Sequence, residues 1–167
     1  MIKVDIKTLE GVLPPLYESS LASGFDLRVH SFKKLFKGTK EVKLDHKLQN
    51  SISNGYILLR GFERVLVGTG LFVSMPQGYE IQVRPRSGTS LKQGITVVNT
   101  PGTIDADYRG EIGVILINNT PFLNKISIGD RVAQGVACRV QHILWNQVSE
   151  LDQTERGEGG FGSTGKN

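Results

Sequence analysis

The chain has 167 residues, 20 of them Lys or Arg against 16 Asp or Glu, with 20 glycines and a single cysteine. That length suits one domain with a real core, and no run approaches the ~18 apolar residues of a membrane span. The start, MIKVDIKTLE, lacks the apolar stretch of a signal peptide, and Cys138 alone excludes both an intrachain disulfide and a cysteine-based zinc site. A reducing, cytoplasmic setting with no membrane partner is therefore expected.

Period-two alternation dominates the chain. Ile2, Val4 and Ile6 alternate with Lys3, Asp5 and Lys7, and Phe25, Leu27 and Val29 alternate with Asp26, Arg28 and His30. Each pattern predicts a half-buried strand. Between Ser31 and Lys47 six lysines and two acids carry the whole positive excess of the chain. With Phe32 and Phe36 but no arginine, this stretch reads as a solvated loop or hairpin, and no nucleic-acid partner is expected. Strands are predicted at Arg64–Val67 and Tyr79–Val83. A short helix follows over Ser87–Gln93, with Ser87 as N-cap and Gly94 as its stop. Further strands are predicted at Ile95–Val98, Ile112–Ile117 (apolar enough to be buried on both faces), Val132–Val140 and Ile143–Val148. Turn signals such as Pro14-Pro15, Asn54-Gly55, Pro101-Gly102 and Gly129-Asp130 separate them. Many short strands with punctuated turns predict an all-β barrel or sandwich with one short helix. Residues 1–150 form the β domain, with a lysine-rich excursion at about 31–54. Residues 151–167 form an arm whose last dozen residues hold five glycines and Phe161, too little apolar surface to offset their ordering entropy.

Three constellations could carry chemistry. In Arg84-Pro85-Arg86-Ser87-Gly88-Thr89-Ser90 a strand delivers two arginines to a helix start, which makes either an anion site or a surface arginine pair beside an ordinary cap. In Asn99 through Glu111 a Pro-Gly turn predicts a hairpin. Asp105 and Asp107 share one face if the strand stays regular, and they could bind a cation, abstract a proton or be plain solvated acids. An EF-hand is excluded, because Arg109 occupies a ligand position and Leu116 stands where the closing glutamate belongs. In the tail, Gly160 and Gly165-Lys166 imitate a phosphate loop, but Asn167 replaces the required Ser or Thr and no helix follows. The tail is either a plain flexible end or a backbone able to wrap a phosphate with Arg156, Ser163 and Thr164. Asn118-Asn119-Thr120 is a glycosylation sequon that an intracellular chain does not use. His30, His46 and His142 lack metal-ligand spacing.

In order along the chain, these segments resemble the five motifs of the trimeric dUTPases. Ala22-Ser23-Gly24-Phe25-Asp26-Leu27 resembles the first and Pro85-Arg86-Ser87-Gly88 the second. Gly102 through Glu111 is similar to the third, Gly129-Asp130-Arg131-Val132-Ala133-Gln134 to the fourth, and Arg156 through Gly165 to the glycine-rich fifth. The resemblance implies a jelly-roll-like β fold, a homotrimer with active sites at subunit interfaces, and Mg2+-assisted hydrolysis of dUTP to dUMP and pyrophosphate. That reaction limits uracil incorporation into DNA and supplies dUMP for thymidylate synthesis. On this basis Asp105 is the expected general base, and Gln134 helps to hold water and phosphate. Arg86, Ser87 and Gly88 bind phosphates from a neighbouring subunit. Asn99 and the backbone of Thr103, Ile104 and Asp105 read uracil, while Tyr108 packs under deoxyribose. When the tail closes, Phe161 stacks on the base and Arg156 and Ser163 reach the terminal phosphates, with Gly162 in the same substrate-binding set. Asp26 is a water-mediated contributor to the metal.

Three features depart from the family pattern. Ser23 stands where many members have a second small apolar residue before the glycine. Gly135-Val136 follows Gln134 where leucine or isoleucine is usual, which predicts looser packing there. The His30–Arg64 stretch is longer than in compact members, and it contains the lysines but no expected catalytic residue. Two other readings share the fold, a dCTP deaminase and a non-catalytic nucleotide-binding protein. The Ile104-Asp105-Ala106-Asp107-Tyr108 stretch lacks the glutamate a deaminating site needs.

Overall fold

A computed structural model of the chain describes residues 1–43 and 46–160. Two sheets make the body of the molecule. One has the order β10 (Gly102–Ile104), β8 (Tyr79–Pro85), β13 (Arg131–Arg139), β2 (Phe25–Arg28). The other runs β4 (Lys40–Glu41), β3 (Ser31–Lys37), β6 (Arg64–Gly68), β11 (Gly113–Asn118), β9 (Ile95–Val97). Two antiparallel pairs flank them, β1 (Asp5–Thr8) with β7 (Leu71–Ser74) and β12 (Asn124–Ser127) with β5 (Tyr56–Leu59). The helices are α1 (His46–Ser53) and α2 (Ser87–Gln93).

Alternation explains which face of each strand is covered. β8 buries Ile81 and Val83 and turns Gln82 and Arg84 away from the core. β6 buries Val65 and Val67, and β11 buries Val114 and Leu116. These side chains meet Leu27, Ile104 and Ala133 from the first sheet in one core, an arrangement of two packed sheets consistent with a jelly-roll-like sandwich. Burying one such Leu or Ile contributes about 1.5–3 kcal/mol, so the alternation alone pins the register.

Several expectations from the sequence need correction. Of the two readings of the lysine-rich stretch the hairpin holds, formed by β3 and β4, but Ser31–Lys37 is also a sheet strand with Leu35 buried, and α1 follows as a second helix. Arg86, not Ser87, is the N-cap of α2, and it makes no side-chain cap; Gly94 does close the helix in the left-handed conformation (φ 63°). β11 alternates rather than burying both faces, leaving Ile115 37% exposed. Ile143–Val148 forms no strand in the chain, because no neighbouring strand pairs with it; Leu144 and Trp145 are almost fully exposed. Packing after Gln134 is not loose, since Gly135 is buried and the Phe25 ring fills the space its missing side chain leaves. The sequon residue Asn118 is fully buried, donating to the Leu59 and Phe122 carbonyls at 2.9 and 2.7 Å, so it is structural.

Candidate active site

The residues singled out by the sequence gather into two clusters on the four-stranded sheet. The first lies where β8 gives way to α2. Pro85 ends the strand, Arg86 takes extended backbone (φ −95°, ψ 130°), and Ser87 opens the helix. The leading N–H groups of a helix have no intrahelical partner and favour an anion. Arg86 is held in place: its Nε donates to Asp26 Oδ1 at 2.8 Å. Asp26 Oδ2 receives Arg131 Nη1 at 3.1 Å, and the same nitrogen reaches Glu18 Oε1 at 3.1 Å. Hydrogen bonding to Asp26 and the Asp26 charge, with help from Glu18, hold the Arg131 guanidinium above its ordinary pKa. The Asp26 side chain is only 12% exposed, so its two ion pairs are partly shielded from salt.

Gln134 sits on β13 with Asp26 opposite it on one side and Arg84 on the other. Its Nε2 donates to the Pro85 carbonyl at 2.9 Å. Its Oε1 occupies room that only a glycine leaves, since a Cβ on Gly24 would stand 2.6 Å away. A cleft of about 590 Å³ opens here, lined by Gln82, Arg84, Pro85, Ser87, Ser90, Thr100, Pro101 and Gln134.

The second cluster follows β10. The strand ends at Ile104 and the chain turns, with the Tyr108 N–H donating to the Asp105 carbonyl at 3.1 Å. Asp105 and Asp107 therefore stand in a turn and not on one face of a regular strand. Nor does β10 form a hairpin with the strand before it: β10 pairs with β8, while β9 pairs with β11. Arg109 Nη1 braces the turn through the Ala106 and Tyr108 carbonyls at 2.7 and 2.9 Å. The Tyr108 ring folds over Gly110, where any Cβ would collide with it, and its hydroxyl donates to the Glu111 carbonyl at 3.1 Å. Glu111 is itself pinned by Lys33 Nζ at 2.9 Å and the Gly70 N–H at 2.8 Å. Burial pushes its pKa up, but these hydrogen bonds, with the charges of Lys33 and His30, outweigh it and hold the carboxyl below its ordinary value. A cavity of about 310 Å³ lies among Asn99, Gly102, Thr103, Ile104, Asp105, Tyr108 and Val114. Among the described residues the Asp105 carboxylate makes no hydrogen bond or ion pair, and the residue is exposed.

One chain does not bring its two clusters together. Ile104 is opposite Ile81, and Gln134 is opposite Arg84, with β8 between their strands. Ile104, next to Asp105, and Gln134 are thus offset by about 10 Å along β8 and about 10 Å across two strand spacings. Among the described residues Arg156, which is exposed, donates to the Gly159 carbonyl at 2.9 Å. Phe161, Gly162 and Ser163 fall outside the described residues.

A protein-held metal does not fit what is present. Both Asp26 oxygens are engaged by arginines, and no cluster of three or more His, Cys, Asp or Glu among the described residues could hold an ion. Sequence reasoning missed Glu18 and the task of Lys33, whose partners lie far away in the chain, and it placed Arg131 and Gly24 in motifs without giving either a task. A glycine at the head of a strand was the available signal for Gly24.

No helix among the described residues is long and apolar enough to cross a membrane. The dUTPase family model matches residues 51–165. The deoxyuridine 5'-triphosphate nucleotidohydrolase of Fusobacterium nucleatum is 44% identical over 168 residues, covering 99% of this chain and all of that one. Its counterpart from Treponema denticola is 45% identical over 166 residues, covering 98% and 99%. The Staphylococcus bacteriophage 80alpha dUTPase with dUpNHpp superposes with a TM-score of 0.75 at 23% identity, covering 99% of both chains. A mutant dUTPase from phage phi11 of S. aureus, described with a coordinated structural Mg(II) ion, gives 0.66 at 20% identity over 89% and 98%. Family match, near-complete coverage and shared fold agree: the chain belongs to the dUTPase family and is an enzyme of that hydrolase class.

Proposed function

We propose that the chain hydrolyses dUTP to dUMP and pyrophosphate in sites built between copies of itself. The observation that carries this reading is the cavity bounded by Asn99, Thr103, Ile104, Asp105 and Tyr108, where the Asp105 carboxylate has no partner among the described residues. Asn99 and the backbone of Thr103–Asp105 hydrogen-bond uracil; cytosine presents the reversed donor pattern and leaves those groups unsatisfied. Tyr108 packs under deoxyribose. The Asp105 carboxylate takes a proton from water as its oxygen bonds to the α-phosphorus, and the bond to the pyrophosphate oxygen breaks. Gln134 orients that water and the phosphate, and Arg86, Ser87 and Gly88 bind the phosphates. Magnesium arrives on the triphosphate as part of the substrate, offsetting its charge. Asp26 acts in this scheme by fixing Arg86.

The offset between Asp105 and Gln134 supports a shared site, with Asp105 from one subunit of a homotrimer and Arg86 and Gln134 from the next. Gly88 supports it too. Its φ is not positive and a Cβ there would meet open space, so nothing among the described residues calls for glycine. Close approach of a ligand's phosphate gives the reason. The exposed Ile143, Leu144, Trp145, Val148 and Leu151 give the chain a run of apolar surface for a second copy to cover. Residues 156–163 then close over the nucleotide, Phe161 on the base and Arg156, Gly162 and Ser163 towards the phosphates. In a cytoplasmic setting the reaction keeps uracil out of DNA and supplies dUMP for thymidylate synthesis.

The test is pyrophosphate release from dUTP, dCTP, dTTP and UTP in parallel, with magnesium, for wild type and Asp105→Ala. Release from dUTP alone, lost in the variant, is the expected result. Ammonia from dCTP indicates a deaminase instead, and bound but intact dUTP indicates a binding protein.

A further inference from the structure

One lysine of the basic segment, its side chain 41% exposed, reaches a carboxylate only 16% exposed, and a distortion of the sheet places it there. β3 pairs with β6 through Phe32 opposite Val67 and then Lys34 opposite Leu66, so Lys33 is the extra residue of a β-bulge. A bulge re-aims one side chain out of the regular alternation, and such bulges recur beside active sites. Here it carries Lys33 Nζ to Glu111 Oε2 at 2.9 Å. The pair lies over bare backbone: a Cβ on Gly68 would collide with both the Glu111 carboxylate and the Lys33 side chain. The Gly70 N–H takes the other oxygen of Glu111 at 2.8 Å, so the carboxylate is fixed from two elements at once. Lys34 offers the contrast. It pairs at 3.3 Å with a Glu41 side chain that is 52% exposed, against 16% for Glu111, the kind of surface pair worth ~0–1 kcal/mol.

Glu111 closes the turn that begins at Asp105, and its own carbonyl accepts the Tyr108 hydroxyl. We propose that Lys33 and Glu111 are positioning residues for Tyr108, with Glu111 at the rim of the nucleoside cavity that it lines and Lys33 supporting it from behind. Lys33 holds the Glu111 side chain, that side chain fixes the Glu111 backbone, and the backbone carbonyl holds the ring at the height where it meets a sugar. The inference rests on the reading of Tyr108 as the residue beneath deoxyribose. It assigns a task to the lysine-rich segment, which contributes no group to the chemistry.

The experiment uses the full chain and measures kcat/KM for dUTP and for UTP, because their ratio cancels any loss of folded enzyme. Lys33→Met and Glu111→Gln are each expected to lower the dUTP:UTP ratio about fivefold or more, with the double variant no worse than either single one. Tyr108→Phe, which removes the hydroxyl, moves the ratio the same way. Lys33→Arg keeps the charge and holds the ratio within about twofold of wild type. Lys34→Met, on the neighbouring surface pair, leaves it unchanged. The inference is overturned if Tyr108→Ala collapses the ratio while Lys33→Met and Glu111→Gln leave it intact, or if Lys33→Arg behaves like Lys33→Met. If Tyr108→Ala also leaves the ratio intact, the nucleoside reading itself has failed, and this inference with it.

Discussion

The two halves of the candidate site are held by different forces. Around Arg86 the structure is electrostatic: Glu18, Arg131, Asp26 and Arg86 form an alternating chain of charges, each carboxylate flanked by guanidinium. Around Asp105 it is steric and backbone-made. A bare Gly110 lets Tyr108 fold down, Arg109 braces carbonyls, and the central carboxylate has no partner among the described residues. A group meant to grip an anion gains from being fixed in advance with its charge intact. A group meant to accept a proton loses that capacity once it is tied into an ion pair. The contrast sorts holding from reacting before any substrate is considered.

The most severe way to break it is Asp105→Ala. Loss of a general base costs about 10²–10⁴ in kcat, and because the carboxylate supports nothing else, Tm should hold. Steady-state pyrophosphate release and a thermal melt decide it; a large drop in Tm would mean the acid is structural after all. Gly24→Ala comes next and attacks the phosphate half without touching a charge. The new Cβ displaces the Gln134 amide, the movable end of a side chain, so the fold survives at a cost of no more than about 1–3 kcal/mol. Turnover should fall about tenfold or more as Gln134 leaves its place. Normal turnover would show that the seat of Gln134 is irrelevant.

Asp26→Asn sharpens the comparison further. Arg86 and Arg131 lose their shared counter-ion, and KM for dUTP should rise about tenfold while Asp105 chemistry is untouched. A fall in kcat at constant KM would place Asp26 in the chemical step instead. The smallest effect concerns Glu111. Its pKa is lowered in the folded chain, so its stabilising contribution is fully present above the unfolded value of about 4.3 and fades as pH falls through the folded one. Wild type should therefore lose more Tm than Glu111→Gln on acidification from about pH 6 to about pH 3.5. Parallel curves would remove Glu111 from the acid response.

Most of the β framework was legible because alternation is a local signal: the stretches read as strands around Phe25–Val29, Arg64–Val67, Tyr79–Val83 and Val132–Val140 fall within a residue or two of β2, β6, β8 and β13. The place of β3 in the larger sheet was not legible, only a loop or hairpin, because its exposed face is lysine and its buried partners on β6 are distant in sequence. Ile143–Val148 was misread for the opposite reason, since its composition suits a strand but pairing needs a neighbour the single chain does not offer. At the site, Asn99, Thr103, Ile104, Asp105 and Tyr108 stand close in the sequence and line one cavity. The Glu18–Arg131 contact and the Lys33–Glu111 pair each span many tens of residues. A separation of that kind leaves no local trace, so only the fold could reveal them.

The offset of Asp105 from Gln134 also bears on inheritance. If each site borrows one residue from each of two neighbours, a chain lacking Asp105 and a chain lacking Gln134 carry complementary lesions. Unfolded together and reassembled, two dead populations should yield mixed oligomers in which some sites join the intact half of one to the intact half of the other. Activity returning from that mixture would make the catalytic unit the seam between chains, and a defective allele could then be partly rescued by a differently defective one.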